Sequence, residues 1–134
     1  MDLLFQRTAR IIGEDGVNAL KAATVAVFGT GGVGSYACEA LGRAGVGHLI
    51  FIDKDVVDET NMNRQLVADL TTLGRNKAEI MAERVRRVNP SCDVQALVKR
   101  YNPSDDEFIP SLHADFIIDA IDDVPAKVAM AVCC

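Results

Sequence analysis

The run Thr24-Val-Ala-Val-Phe-Gly29-Thr-Gly31-Gly32-Val-Gly34 constrains this chain more than any other feature. Residues 25–28 form a continuous apolar stretch, the pattern of a strand covered on both faces. Glycines follow at once, and beyond them Val33, Ala37, Ala40, Leu41 and Ala44 recur at helical spacing. A strand turning directly into a helix through glycine sets backbone N–H groups and a helix N-terminus where a phosphate can sit. Glycine also lets backbone approach a ligand closely. Taken alone the pattern means a nucleotide site or, in its blandest form, a tight strand–helix turn with no ligand.

The rest of the chain continues the alternation. Residues 48–53 read as a second buried strand. Residues 76–88 read as a helix with Ile80, Met81, Val85 and Val88 inward, stopped by Asn89-Pro90. Residues 92–98 read as a third strand, 105–112 as a short acidic helix capped by Ser104, and 115–119 as a fourth strand. Ahead of the first strand, 5–12 is an amphipathic helical stretch, 13–16 a turn and 17–22 a short helix. A long polar connection fills 56–73, with a short helix expected near Leu66 to Leu70. From Pro125 a last helix runs to Cys134 without a glycine or polar stop, so the chain reads as the front part of a longer protein. Strands and helices alternating at these lengths predict an α/β fold, a Rossmann-like parallel sheet with flanking helices, broken off after the fourth strand. Ligands of such sheets bind beyond the carboxyl ends of the strands. Residues 29–34, 53–55 and 119–123 all fall there.

Composition narrows the classes. The 134 residues suffice for one domain, and 49% hydrophobic with 25% charged residues is ordinary for a soluble globular chain. No apolar run approaches the roughly 20 residues of a membrane span, and no basic leader precedes an apolar core. A cytoplasmic protein with no membrane partner is expected. The four cysteines show no CxxC spacing and read as free thiols. A net charge of −5 argues against a nucleic-acid-coating surface. Arg84, Arg86 and Arg87 read as a solvated helix face.

The residues after the glycine loop bear on the chemistry. Asp53, at the end of the second strand, can accept hydrogen bonds from ribose hydroxyls, which equally describes a dinucleotide-binding redox domain. Asp55, Asn61, Asn63, Arg64 and Gln65 then crowd together. Arg64 offers a planar, permanently charged fork for phosphate oxygens. Lys77 opens a helix, where a cation opposes the helix dipole unless an anion sits nearby. Asp122 places a carboxylate at the fourth strand's end, suited to Mg²⁺ bridging phosphates. Two cations and an acid around a glycine loop suit a triphosphate better than a nicotinamide. Loop hydrogen bonding by Asn61 and Asn63 and simple surface charge at Lys77 are the plainer alternatives.

Together, Gly29-x-Gly31-Gly32-x-Gly34, Asp53-x-Asp55, Asn61-x-Asn63-Arg64-Gln65, Gly74-x-x-Lys77 and Asp119-Ala-Ile-Asp122 resemble the ThiF/MoeB/HesA superfamily of adenylating enzymes related to ubiquitin activation. Residues 5–13, the Val-Gly-Ser-Tyr around Gly34 and Asp119-Ala-Ile-Asp-Asp are most similar to its tRNA threonylcarbamoyladenosine dehydratase branch. The resemblance implies that residues 1–134 form an ATP-binding adenylation domain. Gly32, Asp53, Asn61, Asn63, Arg64, Lys77 and Asp122 would contact ATP, with Arg64 and Lys77 on the β- and γ-phosphates and Asp122 holding Mg²⁺. Arg7 would enter the partner's site in a homodimer. The acceptor would be a modified adenosine of tRNA or, in other branches, a ubiquitin-like sulfur carrier. Its carboxylate would gain AMP as a leaving group, a task of positioning and charge neutralisation that needs no side-chain nucleophile.

Overall fold

The computed structural model describes residues 2–134. The chain runs α1 (Gln6–Ala22), β1 (Thr24–Phe28), α2 (Gly34–Ala44), β2 (His48–Ile52), α3 (Lys77–Val88), β3 (Asp93–Leu97), α4 (Phe108–Ser111), β4 (Phe116–Asp119) and α5 (Val124–Cys133). The four strands form one sheet in the order β3-β2-β1-β4, every pair parallel. This is the expected α/β arrangement. Successive strands step outward from β1 on one side to β3, and β4 then returns to the other side of β1. The crevice at that reversal opens at the strands' carboxyl ends, the usual ligand position in such sheets.

Both faces are covered at the central strands β1 and β2, which is why they read as apolar runs, while Gln95 of β3 and Phe116 of β4 are exposed. On one face Val25, Val27, Leu49 and Phe51 pack with Cys38 of α2 and with Met81 and Val85 of α3. On the other, Ala26, Phe28, Ile50 and Ile52 meet Tyr101, Ile109, Ala126 and Met130. Phe28 and Phe51 are fully buried. Burying a side chain of that size stabilises by about 2–3 kcal/mol. Glu39 of α2 receives Arg84 of α3 at 3.0 Å and, within its own helix, Arg43 at 3.1 Å.

Gly34 fixes how α2 meets the sheet. A Cβ there would lie 1.7 Å from the Gly29 carbonyl oxygen. No side chain fits, so the helix can start this close to β1 only on glycine. Gly34 therefore serves the turn's packing.

The elements depart from the expected bounds at several points. The turn expected over 13–16 contracts to Gly13 alone (φ 77°), and helix resumes at once within α1. No helix forms near Leu66 to Leu70; a 3₁₀ turn at Glu59–Asn61 and a chain of further turns take its place. Side chains there capture the backbone: Asp69 accepts from Thr71 N at 2.7 Å and Thr72 Oγ1 donates to Val67 O at 2.7 Å. Such local bonds compete with a helix. For the same reason α4 shrinks to Phe108–Ser111 and Ser104 does not cap it. Asn102 instead accepts from Ser104 N, and Asp105 from Glu107 N. The basic run on α3 is not simply solvated, since Arg84 binds Glu39 and Arg86 donates to Val94 O at 2.7 Å.

Candidate nucleotide site

Beyond the ends of β1, β2, β3 and β4 lies a cavity of about 750 Å³. Its walls include Gly29, Gly31, Gly32, Asp53, Asp55, Arg64, Gln65, Lys77 and Asp122, nine residues singled out in the sequence. Four others do not line it: Gly34, Asn61, Asn63 and Arg7.

The glycine loop forms one wall. At Gly32 an added Cβ would meet nothing within 4 Å, so the backbone there faces open space. At Gly31 a Cβ would stand 3.3 Å from Gln65 Nε2. The loop is braced from both sides. Asp53 Oδ2 accepts from Thr30 N at 2.8 Å and from Thr30 Oγ1 at 3.0 Å. The buried Ser35 donates through Oγ to Gly31 O and accepts from Leu66 N at 3.2 Å. Asp53 thus holds the loop while it lines the cavity, and its Oδ1 also accepts from Asp55 N at 2.8 Å.

Asn61 and Asn63 shape the segment behind the site. Asn61 is buried; its Oδ1 accepts from Asp58 N at 2.9 Å, and its carbonyl takes the amides of Arg64 and Gln65. Asn63 Oδ1 accepts from Arg64 Nη1 at 3.0 Å, and the same guanidinium donates to Thr60 O at 3.0 Å. These contacts are the local hydrogen bonding that the plainer alternative anticipated, and they aim Arg64.

The cations fall into two groups. Those added by β3's end and by the loop after β2 all have carboxylates: Lys54 with Asp55 at 2.7 Å, Lys99 with Asp105 at 3.7 Å, Arg100 with Asp123 at 3.9 Å. Arg64 and Lys77 take part in no ion pair among the described residues. Lys77 is only 7% exposed, at the first position of α3. A cation at that position opposes the helix dipole, which is unfavourable unless an anion joins it, and Asp58 feels its charge without forming an ion pair. Gln65 is also buried, and its Oε1 has no hydrogen-bond partner among the described residues. Two cations without ion-pair partners lining one cavity mark a place for an anionic ligand.

Asp122 is exposed on the loop between β4 and α5 and pairs with no cation among the described residues. No group of three His, Cys, Asp or Glu there could cage a metal by itself. One carboxylate beside a phosphate site is the donor set Mg²⁺ ordinarily uses, the phosphates supplying the rest. Sequence reading missed Lys99, Arg100 and Tyr101 as cavity residues. Their signal was position alone, at the carboxyl end of β3.

The four cysteines are unbridged. Burial pushes the Cys38 thiol far above its usual range and Cys92 up to about 11, so neither offers a thiolate nucleophile. Among the described residues no helix is long and apolar enough to cross a membrane.

Comparison with known proteins places these features. The profile described as "ThiF family" matches residues 5–134. A tRNA threonylcarbamoyladenosine dehydratase of Bacillus subtilis is 46% identical over 124 residues, covering 92% of this chain and 49% of the relative. An adenylyltransferase and sulfurtransferase of Eremothecium gossypii is 37% identical over 125 residues, covering 88% of this chain and 28% of the relative. Among solved structures, the Escherichia coli tRNA N6-threonylcarbamoyladenosine dehydratase in complex with ATP superposes with a TM-score of 0.91 at 42% identity, covering 96% of this chain and 54% of that one. The chain spans about half the length of the dehydratases it matches.

Proposed function

The chain belongs to the ThiF family, and from that premise we propose that it is the ATP-binding part of an adenylating enzyme acting on threonylcarbamoyladenosine in tRNA. The observation that carries this reading is the pair of cations without carboxylate partners, Arg64 and the buried Lys77, beside a glycine loop that is open at Gly32. The dehydratase relative and the ATP complex of its E. coli counterpart support the choice of nucleotide and acceptor.

In this reading the backbone around Gly31 and Gly32 cradles phosphate, and Arg64 and Lys77 neutralise its outer oxygens. Asp53 offers its remaining acceptor capacity to the ribose. Asp122, with the phosphates, would hold Mg²⁺, which supplies charge neutralisation to the departing pyrophosphate. The acceptor carboxylate attacks the α-phosphorus, the bond to the pyrophosphate oxygen breaks, and the carboxylate becomes a mixed anhydride with AMP. In the dehydratase reaction a second, intramolecular attack on the activated carbonyl then expels AMP and closes a ring. The chain's residues bind, orient and neutralise, and none is needed as a nucleophile.

Arg7 belongs to a second part of the proposal. It lies exposed on α1 in no ion pair among the described residues, next to a surface with Leu3 81% and Ile11 87% exposed. We assign that surface to a homodimer in which Arg7 reaches the other copy. The free thiols suit a reducing cytoplasm.

Pyrophosphate release from ATP in the presence of Mg²⁺ and tRNA bearing threonylcarbamoyladenosine tests the function. Release that depends on the modified tRNA supports it. Release driven only by a ubiquitin-like protein ending in Gly-Gly would reassign the acceptor to the sulfur-carrier branch.

A further inference from the structure

Asn76 lies outside the cavity wall, yet its side chain makes three hydrogen bonds around it. Oδ1 accepts from Glu79 N at 3.1 Å and so caps α3. Nδ2 donates to the carbonyls of Asp53 at 3.0 Å and Asp55 at 3.1 Å. The next residue's backbone reinforces the junction, Lys77 N donating to Asp55 O at 3.0 Å. The strand end that carries Asp53 and the helix start that carries Lys77 are thereby one unit, fastened by a buried amide.

A helix cap alone does not call for this. Ser, Asp, Asn and Gly all serve at an N-cap within a fraction of a kcal/mol of each other. Only an amide caps with its oxygen while donating two bonds from its nitrogen. The donated pair goes to the very loop that bears Asp53. We propose that Asn76 is a positioning residue that holds the Lys77 ammonium in register with the Asp53 carboxylate, so that one nucleotide meets both. The proposal rests on the ATP reading of the cavity.

A double-mutant cycle tests it, because residues that act through one another are non-additive. ATP affinity with Mg²⁺ is measured calorimetrically for the protein and for Asn76→Ser, Lys77→Ala and the double variant. Asn76→Ser retains a neutral cap and loses both carbonyl bonds. It is expected to weaken ATP about tenfold when Lys77 is present and less than twofold when residue 77 is alanine. Equal losses in both backgrounds would overturn the positioning role and leave the ATP site standing. ATP binding unaffected by Lys77→Ala would overturn the site reading, and this proposal with it. Should Asn76→Ser fail to fold, Asn76→Gly, also a serviceable cap, is carried through the same cycle.

Discussion

Asp53 Oδ2 accepts hydrogen bonds from both the amide and the hydroxyl of Thr30, at 2.8 and 3.0 Å. The carboxylate read as the ribose acceptor is therefore also the brace of the glycine loop. Asp53→Ala should lower stability by about 1–3 kcal/mol, because the buried Thr30 loses both partners, and should weaken nucleotide binding as well. Lys77→Met, which keeps the bulk of the buried stem and removes only the ammonium, should weaken ATP about 10- to 100-fold with little change in stability. Thermal melts paired with ATP titrations separate the two behaviours. Equal destabilisation by both substitutions would refute the distinction.

The glycines divide in the same way. Gly34→Ala places a Cβ 1.7 Å from the Gly29 carbonyl, and should cost more than about 3 kcal/mol or prevent folding. Gly32→Ala adds its methyl to open space. It should fold normally and lose phosphate affinity. Circular dichroism on both variants checks the first statement, and ATP titration of the second checks the other.

Acid should loosen the α2–α3 contact. Burial alone would raise the Glu39 pKa, but the bonds from Arg84 and Arg43 outweigh it and hold the carboxyl below the ordinary glutamate range. A depressed folded pKa adds stability above the unfolded value, about 4.3, and that stability is lost as pH falls through the folded value. Glu39→Gln should therefore be less stable than the parent at pH 7, and the gap should narrow below about pH 4. Melts taken across pH 3 to 7 measure it. A gap that stays constant would exclude Glu39 as the titrating group.

The sheet and its ligand edge were legible because β1 and β2 are apolar throughout and the glycines punctuate the chain sharply. Gly29, Gly31, Gly32, Asp53, Asp55 and Asp122 could be named because such folds gather ligands at strand ends, and Arg64, Gln65 and Lys77 from their charge, their clustering and the family resemblance. Asn61 and Asn63 were legible as a polar cluster, but the sequence could not separate ligand contact from turn building; Asn61 is bound to the Asp58 amide and Asn63 to the Arg64 guanidinium. The segment at 66–70 misled because helical spacing of Leu66 and Leu70 carries no record of Asp69 and Thr72 capturing the backbone. Asn76 was visible only as a helix start, since its links to Asp53 and Asp55 span 23 and 21 positions.

Asp122→Ala should abolish pyrophosphate release while changing the melting temperature little, because this exposed carboxylate braces nothing in the fold. Retained release at high Mg²⁺ would move the metal to another group, Asp123 being the neighbouring candidate.

Calorimetric titration of the protein with ATP and Mg²⁺, and separately with NADH, decides between the two ligands that the glycine loop alone allows. The two unpaired cations predict that ATP binds, that NADH does not, and that Arg64→Ala combined with Lys77→Ala weakens ATP by about 100-fold or more. Binding of NADH with no response to ATP, or ATP binding indifferent to both substitutions, would contradict the assignment of this cavity to a triphosphate.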